Sequence, residues 1–391
     1  MERRDVIIVG SGPAGAATAL RLAQQVPALA AGTVLLDKAH HPRAKTCAGG
    51  LIPKAAALLA ELDVELAIPS ARVDAAGIAV PGATLDVRGR DLCRVIRRNE
   101  LDAALAWTAR DRGVALYEGE CVKAIVRDGA GIRVETTSQT WWAPVVVGAD
   151  GSGSLVRRAL VPGDGGIVAR AVMTDVPVDG TTWDGYVRRR YDFDFQGCAQ
   201  GLRGYAWAFP CAIEGVPHVN VGAYALPPVD GARLHAELDD ELTRVGARAG
   251  SWKAFPIRTY SPTARMAAPH ALLVGDAAGV DPLMGEGISF ALEYGILAAD
   301  HVVRAHASGD FAFAGYERAV HDGPIGRKLA RLCQGASRFY GPRGAWWFRL
   351  ARMSPRAQRI GLAWYNGADG WDRRGKWAAL RELAWPRPNE G

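Results

Sequence analysis

The chain has 391 residues, 49% of them hydrophobic and 23% charged, and its 47 Lys and Arg against 41 Asp and Glu give a net charge of +6. Such a length and composition exclude a disordered chain and a small fold that needs staples. The modest positive excess suits an anionic cofactor, a membrane surface or nucleic acid alike. The six cysteines, Cys47, Cys93, Cys121, Cys198, Cys211 and Cys333, are scattered without a C-x-x-C pair, which speaks against a zinc site or a disulfide framework and for a reducing compartment.

In chain order, Glu2-Arg3-Arg4 runs directly into an apolar strand and a glycine turn, unlike a signal peptide, so a cytoplasmic location is expected. Val6 to Val9 reads as a strand, Ala14 to Gln25 as a helix and Thr33 to Asp37 as a second strand, one βαβ unit. Ile78 to Val87 and Val114 to Thr137 alternate β-branched and polar residues around glycine turns, as antiparallel strands do, with a helix from Glu100 to Asp111 between them. Two fully apolar strands, Val145 to Val147 and Ala271 to Val274, end in the acidic glycine turns Gly148-Ala149-Asp150-Gly151 and Gly275-Asp276. Between them, residues 166–264 are rich in aromatics and strand patterns, for example Gly185 to Phe195 and His218 to Ala223. Ile288 to Val303 is interrupted by Glu293 and Asp300 and falls short of the ~20 apolar residues that span a bilayer. From about residue 311 the chain turns helical, basic and rich in tryptophan.

Gly10-Ser11-Gly12-Pro13-Ala14-Gly15 is a G-x-G-x-x-G turn between strand and helix, with Asp37 at the end of the next strand. Gly10 permits the tight turn, Gly12 lets backbone approach a pyrophosphate, Gly15 lets helix pack on strand, and Asp37, with Lys38 beside it, meets the ribose. That fingerprint alone does not separate NAD from FAD. Asp276, at a strand end before a loop and a helix, is placed to reach a ribitol hydroxyl, and Asp281 to Gly287 feeds a helix N-terminus that favours the negative charge of a reduced flavin edge.

Together, the dinucleotide fingerprint, Asp150-Gly151 and Gly275-Asp276 resemble the three signatures of the FAD-dependent monooxygenase and reductase superfamily. The resemblance implies FAD as cofactor, with Asp150 serving FAD and NAD(P)H, and Arg98 of the R-x-x-F-D-like stretch Arg98 to Asp102 contacting FAD. Read without it, Arg98 is equally a solvated arginine at a helix start. Three further segments are similar to the geranylgeranyl reductase group: Lys45 to Pro53 (K-x-C-G-G-G-L-x-P), Tyr205 to Pro210 (Y-x-W-x-F-P) and Asp281 to Ile288 (D-P-L-x-G-E-G-I). By resemblance, Lys45, Pro282, Gly285, Gly287 and Ile288 hold the flavin, Cys47 lies near its ring, and Tyr205 and Trp207 line the substrate tunnel. From strand geometry alone, Tyr205, Trp207 and Phe209 share one face, as core packing and a pocket wall both require. Ala48 replaces a family glycine, and Cys211 replaces a lysine that often follows the aromatic motif.

No second strand, G-x-G-x-x-G and helix follows residue 40, so electrons are expected from transient NAD(P)H docking or from a separate reductase. The sequence has no H-E-x-x-H, no G-K-[ST] loop, no G-x-S-x-G elbow and no G-W-x-W-x-I-P halogenase signature, and His40-His41 has no third ligand nearby; no metal is expected. From Gly326 to Gly361 nine basic residues and no acid are interleaved with Phe339, Tyr340, Trp346, Trp347 and Phe348. This suits peripheral contact with an anionic membrane, and equally a helical cap with a solvated arginine face. No nucleic-acid motif accompanies the charge.

The expected architecture is α/β: a Rossmann-type FAD-binding domain at 1–165 and 265–310, interleaved with an antiparallel-sheet substrate domain at 166–264, with a substrate-side insertion at about 42–97 and a helical C-terminal region at 311–391. The resemblance implies an enzyme that reduces carbon–carbon double bonds of an isoprenoid or similar apolar substrate. The alternatives are a monooxygenase hydroxylating an aromatic small molecule or a polypeptide side chain, and a non-catalytic electron-transfer subunit. The oligomeric state is not legible.

Overall fold

In the computed structural model, which describes residues 1–163, 166–248 and 250–353, every residue of the strand Val6–Val9 is buried. Polar alternation is absent there because both faces are covered, as a parallel sheet requires. Thr33–Leu36 and then Ala115–Tyr117 lie parallel on one side, and Val145–Gly148 and Ala271–Leu273 on the other, with Ala267–Ala268 closing that edge antiparallel. This six-stranded sheet therefore gathers segments that are distant in sequence. The helix Pro13–Gln25, buried along most of its length, is flanked by the helices Ile288–Ser308 and Arg98–Asp111.

A second sheet of eight strands runs in the order Lys253–Arg258, Val168–Pro177, Val216–Ala225, Gly204–Ile213, Arg190–Asp194, Ser70–Val80, Ala83–Ile96 and Gly50–Leu51. Neighbours are antiparallel except Arg190–Asp194 and Ser70–Val80, which run parallel. Strands from 42–97 and from 166–264 thus form one layer.

Two stretches depart from the sequence reading. Gly185 to Phe195 is not one strand: Asp184–Val187 is a helical turn, and Arg189 at a φ of 50° breaks the extended run before Arg190–Asp194. Val114 to Thr137 divides between two sheets, because the chain turns at Gly119, whose φ is 75°. Ala115–Tyr117 is not antiparallel as its alternation suggests but pairs parallel with Thr33–Leu36 at the edge of the parallel sheet, while Ala124–Asp128 and Gly131–Glu135, antiparallel to each other, join Thr140–Ala143 and Glu2–Arg3 in a sheet of four.

Toward the C-terminus come the helices Tyr316–His321, Pro324–Phe339 and Gly344–Met353. The remainder of the basic, tryptophan-rich region, including Arg356, Arg359, Trp364, Trp371, Trp377 and Trp385, lies outside the described residues. Among the described residues no helix is long and apolar enough to cross a membrane.

Candidate active site

At the turn after Val6–Val9, Gly10 has a φ of 101°, and a Cβ there would lie 2.4 Å from the Ala149 carbonyl oxygen. A Cβ on Gly15 would lie 1.9 Å from the Gly10 carbonyl oxygen. These two glycines are demanded by backbone packing. Gly12 is different: a Cβ would meet nothing nearer than the Arg43 guanidinium at 3.5 Å and that of Arg98 at 4.0 Å. The space at the N-terminus of Pro13–Gln25 is therefore open and faced by two cations, a cradle suited to a pyrophosphate.

Those cations are held by two acids. Asp102, fully buried on Arg98–Asp111, accepts from Arg98 Nε and Nη2 at 2.7 and 2.9 Å and pairs with Arg43 at 3.1 Å. Arg43 also pairs with Asp37 at 3.3 Å. Asp37 accepts from the Ser11 backbone N–H and hydroxyl at 3.1 and 2.6 Å and from Ala39 N–H at 3.0 Å. Burial alone would raise its pKa, but Arg43 and these donors hold it below the usual carboxylate range. Arg98, with a side chain only 11% exposed, is not the solvated arginine that the helix start also allowed.

Asp150 accepts from the N–H groups of Leu155 and Val156 at 2.6 and 3.1 Å, tying the end of Val145–Gly148 to the next helix, and burial raises its pKa. Asp276 accepts from the Ser152 hydroxyl at 3.3 Å, so the two acidic glycine turns meet. Beyond them, the loop 281–287 is held from three directions. Tyr224 donates to the Pro282 carbonyl at 3.0 Å, Tyr340 to Leu283 at 2.6 Å, and Tyr205 to Met284. Asp281 folds back on the N–H groups of Leu283 and Met284, and Glu286 caps the helix Ile288–Ser308 through Ser289. Burial pushes the Asp281 carboxyl up to about 7 and raises Glu286 as well.

Facing this loop is the segment 45–50. Gly49, at a φ of 84°, packs so tightly that a Cβ would lie 2.0 Å from the Ile96 carbonyl oxygen, and it donates to Cys47 Sγ at 3.4 Å. Ala48 is not among the residues at positive φ, so a side chain is accepted where the family has glycine. Lys45 Nζ lies 3.1 Å from the Phe255 ring centroid. Burial draws its pKa down to about 8, with Asp276 opposing the fall and Arg98 adding to it.

On the strand Gly204–Ile213, Tyr205, Trp207 and Phe209 share a face and are 6%, 5% and 4% exposed. Opposite them in register stand Tyr224, Gly222 and Asn220, and Phe193 adds a ring 5.3 Å from Phe209 and 5.7 Å from Tyr205. Tyr205, Trp207 and Phe209 all line the same cleft as the glycine turn.

One cleft of about 650 Å³ runs through these parts. Of the expected residues, Gly10, Gly12, Pro13, Ala14, Asp37 and the exposed Lys38 line its first end. Lys45, Cys47, Arg98, Asp150, Gly275 and Asp276 line the middle, and Gly285, Gly287, Ile288, Tyr205 and Trp207 the far end. Gly15 and Pro282 do not line it; the first acts beneath the turn and the second through the carbonyl held by Tyr224. Sequence reasoning missed Arg43 as the bridge between Asp37 and Asp102, and it missed Tyr224, Tyr340 and Phe255. Pairing the alternation of Val216–Ala225 with that of Gly204–Ile213 exposes Tyr224; nothing local exposes Arg43 or Tyr340. Among the described residues no cluster of His, Cys, Asp and Glu could hold a metal ion.

The FAD binding domain family model matches residues 3–192. A menaquinone reductase of Mycolicibacterium smegmatis is 31% identical over 324 residues, covering 76% of this chain and 76% of that protein. A digeranylgeranylglycerophospholipid reductase of Methanothrix thermoacetophila is 28% identical over 356 residues, covering 84% of this chain and 85% of that protein. The solved structure of a geranylgeranyl bacteriochlorophyll reductase-like protein from Thermoplasma acidophilum matches 98% of this chain and 99% of its own, with a TM-score of 0.77 at 21% identity. A flavin-dependent brominase shares the fold with a TM-score of 0.72 at 18% identity. The open, doubly cationic cradle over Gly12 and the paired acidic turns fit FAD, and the chain belongs to the geranylgeranyl reductase-like family of FAD-dependent oxidoreductases.

Proposed function

We propose that this enzyme saturates carbon–carbon double bonds of an isoprenoid or similarly apolar substrate. The observation that carries the reading is the continuity of one cleft from Gly12 and Asp37 to the wall of Tyr205, Trp207 and Phe209. Relatives named as reductases of menaquinone and of digeranylgeranylglycerophospholipid support it. Bound FAD, once reduced, would supply the hydride that a saturation needs, and the protein supplies binding and orientation.

In this reading Arg43, Arg98 and the helix N-terminus neutralise the pyrophosphate, Asp37 takes the ribose, and Asp276 takes the ribitol. The loop 281–287, rigid between three tyrosines, presents the N-terminus of Ile288–Ser308 to the electron-rich edge of the ring system. The aromatic wall orients the substrate and excludes water. Lys45 lines the same cleft as the wall, beside Cys47; with its pKa drawn to about 8, Lys45 keeps its proton at neutral pH yet releases it at small cost. Residues 1–165 and 265–310 act as the cofactor unit, and 166–264 with about 42–97 as the substrate unit. Electrons arrive from NAD(P)H docking transiently or from a separate reductase. An anionic membrane surface receives the helices Pro324–Phe339 and Gly344–Met353, supported by the exposed Arg327, Arg331, Arg338 and Arg343 and by Trp346, which is 54% exposed.

The test is anaerobic: photoreduce the purified yellow protein, then add a geranylgeranyl lipid and, separately, air. Reoxidation by the lipid without oxygen, with a product richer by one hydrogen pair, is the expected result. Reoxidation by air alone, coupled to oxygen insertion into an aromatic substrate, would sink the reductase reading and leave the hydroxylase.

A further inference from the structure

Trp207 stands in the middle of the aromatic wall, yet its indole is fixed by groups behind that wall. Gly222 is its register partner on the next strand, and a Cβ there would lie 2.2 Å from the indole's six-membered ring. Glycine is what lets the indole lie across the strand. In that pose its Nε1 donates to Asn220 Oδ1 at 2.8 Å; Asn220 is fully buried and donates from Nδ2 to Asp175 Oδ1 at 2.7 Å. Arg97 closes the series with two bonds to Asp175 at 2.8 and 2.7 Å.

Chemistry fixes the direction of this series. A guanidinium only donates and an ionised carboxylate only accepts, so the amide must turn its NH2 to Asp175 and its oxygen to the indole. Burial raises the Asp175 pKa, but Arg97 and Asn220 outweigh it and hold the acid ionised, with His218 adding a weaker pull. Cys211 Sγ sits beside both, 3.7 Å from Arg97 Nη1 and donating to Asp175 Oδ1 at 3.9 Å; burial pushes its thiol up to about 12, so it stays neutral. None of Arg97, Asp175, Asn220 and Gly222 lines the cleft.

We propose that Asn220, Asp175, Arg97 and Gly222 are positioning residues that hold the Trp207 indole at one angle, and so set which double bond of the substrate chain is presented for reduction. The inference rests on the reductase reading. A free indole would swing about two side-chain torsions; a bonded one makes the wall a fixed template against which the chain slides.

The test is a double-mutant cycle of Asn220→Leu and Trp207→Phe in the FAD-loaded enzyme, kept reduced anaerobically by excess dithionite and supplied with geranylgeranyl diphosphate. Asn220→Leu should lower kcat/KM about tenfold, the scale of one buried hydrogen bond with an orphaned partner, and should redistribute products among those with one, two and more added hydrogen pairs, with FAD content unchanged. On a Trp207→Phe background it should add little, because both act through the indole. Additive effects, or an unaltered product distribution, would overturn the proposal. Gly222→Ala, which displaces the ring while leaving Asn220, Asp175 and Arg97 unsubstituted, should produce the same redistribution and covers the case in which Asn220→Leu loses FAD. With 5-fluorotryptophan incorporated, the fluorine resonance that Trp207→Phe deletes should move in Asn220→Leu whether or not lipid is turned over; an unmoved resonance also overturns it. A wild type that leaves lipid untouched overturns the reductase reading and the placement role with it, while the resonance separately reports whether the series holds the indole.

Discussion

A Cβ on Gly295 would stand 2.5 Å from the carbonyl oxygen of Ala14. The helices Ile288–Ser308 and Pro13–Gln25 therefore touch backbone to backbone, and both begin at the cleft. Gly295→Leu should force them apart at a cost of at least about 1–3 kcal/mol, the usual range for overpacking, and should weaken FAD retention because both helix starts move. Thermal unfolding and bound-flavin absorbance check this; an unchanged melting temperature would refute the close approach.

Two glycines of the first turn, Gly12 and Gly15, should separate by mechanism. Gly12→Ala has room in the protein and should leave the apoprotein's melting temperature unchanged while weakening FAD binding, since the added methyl occupies the pyrophosphate approach. Gly15→Ala strikes the Gly10 carbonyl and should destabilise the apoprotein itself. Differential scanning fluorimetry with and without FAD distinguishes the two.

Asp102 gathers two guanidinia at a fully buried position. Asp102→Ala leaves both without their shared counterion and should cost about 3–5 kcal/mol in denaturant unfolding, with a fall in FAD affinity as Arg43 and Arg98 lose their aim. Asp102→Asn, keeping one acceptor, should lie between.

Burial raises the Asp281 pKa from its ordinary 3.8 to about 7 in the fold, with Glu286 adding to the rise and the Leu283 and Met284 N–H groups and Lys328 opposing it. Between those values the native state binds more protons than the unfolded chain, so this group's contribution to stability falls as pH rises from about 4 to about 7 and then levels. Subtracting the pH profile of Asp281→Asn from that of the wild type should isolate that decline. A flat difference would show that Asp281 titrates normally.

Vesicles containing anionic lipid should co-sediment with the protein, and neutral vesicles much less so. Replacing Arg331, Arg338 and Arg343 by glutamine should abolish the difference, and Trp346→Ala should weaken what remains; raised salt should mimic the arginine changes. Equal binding to neutral vesicles would rule out the electrostatic contact.

What was legible in the sequence was whatever chemistry is local. Gly10, Gly12, Gly15, Asp150 and Asp276 announce themselves because a turn that ends a buried strand needs those residue types within a few positions. The burial of the strands Val6–Val9, Val145–Gly148 and Ala271–Leu273 followed from their unbroken apolar runs, but their order in the sheet did not. The Asp37–Arg43–Asp102 bridge was not legible, because an ion pair between distant segments leaves no periodicity. Asn220 was equally hidden: a buried amide on a strand looks like a weak strand residue until the strand beside it supplies an indole. The break at Arg189 was missed for a related reason, since its exposed, left-handed backbone turns its carbonyl to the Asp74 and Ala75 N–H groups of a strand distant in sequence.

Tyr340 closes the helix Pro324–Phe339, yet its hydroxyl belongs to the loop 281–287. Any shortened version of this protein that ends before Tyr340 would release one of the loop's three anchors, and a chimera that exchanges the last helices with those of a relative would carry a new loop setting with it. The C-terminal region is thus no interchangeable module: a designer grafting it for a different surface would be resetting one wall of the cleft in the same step.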